Sequence, residues 1–413
     1  MPPRGEPPRG ELPSPAASAR RRRPPLAVAA YLTAATPPRL AVGGITVAIP
    51  VLSVEQLGDV AVGGLLVAAA LGPSIVAAPV VGAVLDRTRR PGALVAGAGL
   101  VTAGAFTVAA FLGVVPVWLV ALALMAAGAA TPFLMGGLSS FVTEGIRDER
   151  RAYAIDALAY NIGAVAGPGA VAAATALGSA RLATLLMAGS ALLGVFGTIP
   201  LRLRPLAGEP HGSMLATIAA GLRHIATHRP LAVITASGTL SQFGSGGLAI
   251  AAVALSVERS GGAGEGALIV TAFAVGGLLG ALWNSARPAR LRPELTMGAG
   301  FAATGVFTVL SAVDRGIAWT IAAIGVSGLF TAASASAMLV IRKQQSPPTL
   351  RSQVFTVGSG LRAAAAAAGA AVAGLAAGVG AEVLILAIGA IWIASGAMLT
   401  AYPRDAPAID GEG

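Results

Sequence analysis

Apolar stretches about as long as a bilayer is thick follow one another along nearly the whole chain, separated by short polar breaks. A helix that crosses the hydrocarbon core needs about 20 mostly apolar residues. Twelve segments meet that length, with cores at 31–54, 61–82, 92–112, 114–141, 153–176, 181–200, 231–255, 266–285, 296–313, 317–341, 353–379 and 382–402. The runs are long and rich in Ala, Leu and Gly, and they do not alternate at every second position. The pattern therefore predicts helices and not the strands of a barrel. The fold class expected is an all-α membrane protein of twelve transmembrane helices.

Composition narrows the reading. Hydrophobic residues make up 55% of the 413 positions and charged residues 11%, where a soluble domain carries about 25% charged residues. A soluble globular enzyme and a disordered protein are both excluded. Abundant Gly and Ala suit closely packed membrane helices. The absence of cysteine excludes disulfides and thiolate metal sites.

The net charge of +10 raises the question of nucleic acid, but the arginines sit in clusters between the apolar runs, which points to the bilayer instead. With the N-terminus placed in the cytoplasm, the inner segments hold Arg20 to Arg23; Arg87, Arg89 and Arg90; Arg147, Arg150 and Arg151; Arg202, Arg204, Arg223 and Arg229; Arg287, Arg290 and Arg292; Arg342, Lys343 and Arg351; and Arg404. The outer loops hold only Arg181, Arg259 and Arg315. This is the positive-inside pattern. It predicts a multi-pass protein of the cell (inner) membrane with both termini cytoplasmic.

The longest internal polar stretch falls midway. The organisation expected is a disordered basic cytoplasmic tail at 1–26, a six-helix bundle at 27–200, a cytoplasmic linker with an amphipathic helix at 201–230, a second six-helix bundle at 231–402 and a cytoplasmic tail at 403–413. His224 and His228 stand one helical turn apart, a spacing that could hold a metal. No third ligand accompanies them, so a solvated helix face is the reading, with no metal or cofactor. The halves echo each other: Gly82 to Asp86 corresponds to Gly280 to Asn284 at an offset of 198, and Arg151 to Arg351 at 200. A parallel repeat of six spans is one of the transporter architectures.

Gly82-Ala83-Val84-Leu85-Asp86-Arg87-Thr88-Arg89-Arg90, between spans two and three, resembles the signature of the major facilitator superfamily, with Arg89 where the family has a second Gly. The resemblance implies a gate on that side of the membrane. Asp86 would accept hydrogen bonds from the start of span eleven, near Ser352 to Val354, where backbone N–H groups are free. Gly82, Asp86, Arg87, Arg89, Arg90 and Arg151 are the residues concerned. In span five, Gly163-Ala164-Val165-Ala166-Gly167-Pro168 resembles a pattern of the superfamily's exporters, with Val171-Ala172 in place of the following Gly pair. Gly163 and Gly167 share a helix face and permit close packing, and Pro168 removes a backbone donor. Span four lacks the arginine common in proton-coupled exporters.

Ionisable groups within spans are functional candidates. Arg362 lies deepest. Arg39 is either embedded or a flank of span one. Asp156 is expected either to pair with Arg287 or Arg290 as a structural ion pair or to serve as a proton site. Tyr160, Asn161 and Gln242 are uncharged candidates for contact with solute. Arg362 either faces a water-filled cavity, where it favours an anionic or zwitterionic group, or is a structural residue bonded to backbone carbonyls. Nothing in the chain resembles a phosphate loop, a metal cluster or a nucleophile–base pair, so no enzymatic activity is expected. The function expected is secondary transport of a small molecule by alternating access, with export ahead of uptake. A non-transporting membrane receptor or scaffold is the rival of another class. The partners expected are the bilayer and a small solute, with the chain acting as a monomer; a coupling proton is an open alternative that the missing span-four arginine leaves without support.

Overall fold

The computed structural model describes residues 24–146, 149–201, 203, 214–286, 291–347 and 350–403. The helices are α1 (Pro24–Leu57), α2 (Val60–Leu71), α3 (Pro73–Arg87), α4 (Pro91–Ala110), α5 (Val117–Pro132), α6 (Val142–Gly145), α7 (Glu149–Ala176), α8 (Ala180–Thr198), α9 (Met214–Thr227), α10 (Arg229–Ser260), α11 (Glu265–Ser285), α12 (Pro293–Leu310), α13 (Ile317–Leu329), α14 (Thr331–Gln344), α15 (Arg351–Leu375) and α16 (Ala381–Ala397). Eleven segments among the described residues are long and apolar enough to cross a membrane. The 18-residue α12 fills the remaining expected segment and completes twelve spans. No strand occurs among the described residues.

Prolines mark where spans begin and break. Pro73 starts α3 and divides the second span into α2 and α3. Pro91, Pro116 and Pro293 stand at helix starts, where a missing N–H costs nothing. Pro132 ends α5 in a π-helical turn at Phe133–Gly137. The first span absorbs Pro37, Pro38 and Pro50 without a break. The Ser190 hydroxyl of α8 donates to the Pro37 carbonyl at 2.8 Å, the kind of local partner that makes proline tolerable inside a membrane helix.

The same packing plan appears twice. α1 packs on α7 and α8 while α4 packs on α8; in the second half α10 packs on α15 and α16 while α12 packs on α16. At the end of the bundle away from the termini, polar side chains repeat the plan. Glu55 accepts from the Ala180 amide that opens α8 at 3.0 Å. Glu258 accepts from the Ala381 amide that opens α16 at 2.8 Å. Arg181 Nε donates to the Ala110 carbonyl closing α4 at 3.1 Å. Arg259 Nη1 and Nη2 donate to Ser311 and Ala312 just past α12 at 2.8 and 2.6 Å. Carboxylates meet free helix N–H groups and guanidiniums meet free carbonyls, which gives two of the three arginines assigned to the outer loops a structural task.

The halves meet at that same far end. One apolar cluster there joins Leu66, Val67, Val171 and Ala172 of the first half to Ile250, Val253, Ala267, Ala370 and Ala373 of the second. α2 touches α15 where a Cβ on Gly64 would lie 2.5 Å from Gly374 Cα. At the end that bears the termini the clusters are separate. Tyr31, Val95, Leu138 and Ala152 belong to one, all from the first half. Ile225, Leu231, Met297 and Val354 belong to another, all from linker and second half. The second span shows the change along its own length: Leu66 and Val67 of α2 are buried, whereas Val76, Val80 and Val84 of α3 are exposed.

Candidate functional site

Asp156, Tyr160, Gly163 and Gly167 recur at spacings of four, three and four, so they form one stripe on α7. The glycines bring that stripe against α1. A Cβ on Gly163 would lie 2.8 Å from the Arg39 carbonyl carbon, and one on Gly167 would lie 2.6 Å from the Gly44 amide nitrogen. The exporter-like pattern is therefore, in this fold, a seat for the first span.

That close approach lets the Arg39 side chain run along α7. Arg39 stands within α1, about 18 Å of helix beyond Ala27, and is 3% exposed; it is embedded, and the alternative of a flank is set aside. Its Nη2 donates to Asp156 Oδ1 at 2.6 Å and to Ser139 Oγ at 2.9 Å. Its Nη1 donates to the Asp156 carbonyl at 3.0 Å. The Tyr31 hydroxyl donates to the same Oδ1 at 2.5 Å, and the Tyr160 ring lies 3.7 Å from the guanidinium carbon. The carboxylate thus has its charge matched, and the cation is covered by an aromatic face. Asp156 was expected to pair with Arg287 or Arg290, which lie outside the described residues; the partner present is Arg39. Sequence spacing could not show this, because 117 residues separate the two groups.

The second half places its embedded cations differently. Gly358, Arg362, Ala366 and Gly369 form one face of α15. Gly246 of α10 meets Ala366, and Gly369 meets Phe243 of α10. Ala370 and Gly374, on another face, meet Gly64 of α2. Arg362 therefore shares the face of α15 that packs on α10, a different face from the one that meets α2. Beside it lies Arg342, which sequence reading had assigned to an inner loop. Arg342 ends α14 and is 1% exposed. A Cβ on Gly358 would lie 2.7 Å from Arg342 Nη2, so the missing side chain makes room for the guanidinium. Arg342 Nε and Nη2 and Arg362 Nε are buried without hydrogen-bond partners. Gly358 and Arg362 stand one helical turn apart on the same face of α15, which brings the two cations close together. The one sequence signal for Arg342 was its place in the last turn of a span.

The remaining candidates are spread out. Asn161 is exposed and donates to the Ala157 carbonyl of its own helix at 2.9 Å, and Gln242 is half-buried on α10. Pro168 is buried inside the uninterrupted α7. Gly82, Arg89, Arg90 and Arg151 are exposed. Asp86 and Arg87 close α3, but their side chains, with those of Arg351 and Ser352, lie outside the described residues, as do Arg147, Arg202, Arg204 and the tails. In the linker, His224 and His228 stack with centroids 5.6 Å apart, and His228 Nε2 bonds Gln345 Oε1 at 2.9 Å. Burial, and then the neighbouring His228, hold the His224 imidazole below its ordinary range.

The family model described as Major Facilitator Superfamily matches residues 32–241. Among solved structures, the nucleoside transporter NupG, as a single-residue variant, superposes with a TM-score of 0.75 at 14% identity, covering 91% of this chain and 100% of the other. A variant of the peptide transporter POT in complex with alafosfalin superposes with a TM-score of 0.71 at 14% identity, covering 93% and 96%. A POT family transporter in complex with 5-aminolevulinic acid gives 0.71 at 12%, covering 90% and 95%. No curated protein matches the chain by sequence.

Proposed function

This chain belongs to the major facilitator superfamily; it is a membrane transporter and not an enzyme, and from that premise we propose that it exports a small solute by alternating access. One observation carries the mechanism: the halves share an apolar cluster at one end of the bundle and keep separate clusters at the other. Rocking two rigid halves about a central site would exchange which end is joined. The arginine clusters support a cytoplasmic place for the separated end, with a cell membrane and both termini inside as part of the same reading. The Gly163 to Pro168 pattern supports the outward direction. Each chain works as a monomer, since both halves lie in one chain. A coupling proton would compete with Arg39 for Asp156.

The absence of cysteine in the sequence makes the test direct. Spin labels on Val80→Cys with Ser359→Cys report the terminus-bearing end; labels on Asp59→Cys with Glu382→Cys report the far end. In nanodiscs, two distance populations are expected at each end, with one end shortening as the other lengthens. A single fixed distance at both ends would refute alternating access. Direction is read by comparing metabolites inside and outside cells with and without the protein. Reporter fusions at residues 210 and 408 should both report cytoplasm.

The gate at Gly82 to Arg90 belongs to the same proposal. Asp86 closes α3 at the terminus-bearing end, and Arg351 opens α15, the helix it would meet there. Asp86→Asn should cut flux sharply at equal protein level. Unchanged flux would reduce the segment to a topology signal.

A further inference from the structure

Arg342 and Arg362 form a doubly cationic pair with no carboxylate bonded to either one among the described residues. A desolvated charge left unpaired is strongly unfavourable. Two such charges side by side add mutual repulsion. The fold nevertheless makes room for them: Gly358 leaves the space that the Arg342 guanidinium occupies. Leu361 and Ala365, near Arg362 along α15, line an apolar groove of about 600 Å³ walled on another side by Leu222, Ile225 and Ala226 of α9; neither arginine is among its lining residues. Thr235, Thr239 and Phe243 of α10 line the same groove, and the hydroxyls of Thr235 and Thr239 are buried without partners. The groove supplies spare hydroxyls and apolar walls, and the two planar donor groups lie close by, at Gly358 and Arg362 on α15.

We propose that Arg342 and Arg362 form a binding site for an oxyanion, a carboxylate or a phosphate, carried on a small apolar body. The proposal rests on the transport reading in one respect: the bound anion is the solute that is moved. A guanidinium offers a fork of parallel N–H donors that matches the two oxygens of a carboxylate or phosphate. An anion here supplies the counter-charge that the protein does not, and the apolar groove lined by the neighbouring Leu361 and Ala365 takes its body. A cation is repelled. The first half offers no equivalent site, because Arg39 is already neutralised by Asp156.

The test uses the full chain in phosphatidylcholine nanodiscs, with hexanoate and hexyl phosphate as probes and hexylammonium as control. Both anions should bind and raise the unfolding temperature, and hexylammonium should do neither. Arg362→Gln and Arg342→Gln should each weaken anion binding by about 30-fold, the scale of truncating one member of a buried charge pair. Arg315→Gln, at the far end, should bind like the parent. Arg362→Lys guards against a folding defect: it keeps the charge, loses the fork and should bind with intermediate affinity. Failure of both anions to bind, or equal affinity across all four variants, overturns the site. Nanodiscs containing phosphatidylglycerol separate the sources of the anion. Arg362-dependent stabilisation by that lipid, without competition from hexanoate, assigns the site to a lipid headgroup and overturns the solute assignment. Anion binding without flux in proteoliposomes leaves the site standing and breaks the transport reading. Anion flux unaltered in Arg362→Gln breaks the site.

Discussion

Arg39 in the first half and the Arg342–Arg362 pair in the second face the same problem of a guanidinium at membrane depth. Arg39 is answered by a carboxylate at 2.6 Å, a serine hydroxyl at 2.9 Å and an aromatic face at 3.7 Å. The pair has no carboxylate among the described residues, and three of its nitrogens are buried without a partner. The surrounding architecture is shared: α1 sits on α7 and α8 as α10 sits on α15 and α16. The glutamate caps at Glu55 and Glu258 repeat. What differs is the polar inventory hung on a common frame. A matched charge serves as part of the frame and as a candidate coupling point, whereas an unmatched one awaits a charge from outside.

The sharpest way to break this contrast is to remove one partner on each side. Asp156→Ala leaves Arg39 buried and unpaired, and a loss of about 3 kcal/mol or more is expected, read as a drop in unfolding temperature in nanodiscs. The double variant Arg39→Met with Asp156→Leu should recover most of that loss. Arg342→Met should act in the opposite direction. It removes one of two repelling charges, so in anion-free buffer the protein should gain about 1 kcal/mol, and the stabilisation by added anion should shrink. If Arg342→Met destabilises as much as Asp156→Ala, the two sites are alike and the contrast fails.

Two glycines refine the comparison. A methyl group at Gly163 meets the backbone of Arg39, which cannot step aside. Gly163→Ala should therefore cost about 1 to 3 kcal/mol. A methyl group at Gly358 meets the far end of the Arg342 side chain. Gly358→Ala should cost less than about 1 kcal/mol, and its clearer effect should be on anion affinity. Thermal unfolding of the two variants side by side checks the order.

The smallest effect expected concerns the linker helix α9, which packs on α15 and α10. The His224 imidazole is held below its ordinary range by burial and by His228. A lowered folded value means the neutral form is favoured when α9 is docked. Docking is thus at full strength above the ordinary imidazole range and weakens as pH falls through the lowered folded value. Maleimide labelling of Ile225→Cys, buried at neutral pH, should speed up on acidification, and His224→Gln should abolish that dependence.

Much of the fold was legible because a bilayer imposes one-dimensional rules. Span length, helical type and arginine placement are local properties, so runs such as 61–82 and 382–402 could be read straight from the chain. The face shared by Gly163 and Gly167 was also visible, being a matter of helical spacing, and Asp156 stood out as a charge within the same span. Its partner did not, since Arg39 comes from a helix 117 positions away, and the sequence alone left Arg39 between an embedded place and a flank. Arg342 was misread for a related reason: a cluster of cations at a span end looks like a topology signal whether the side chain reaches water or turns inward. The turn inward was decided by Gly358 on a different helix. Sequence determined the twelve spans and the chemical types that the membrane makes costly. Tertiary packing decided which of those costly charges were neutralised within the fold, because a counter-charge is a neighbour in space and the chain sets only neighbours in order.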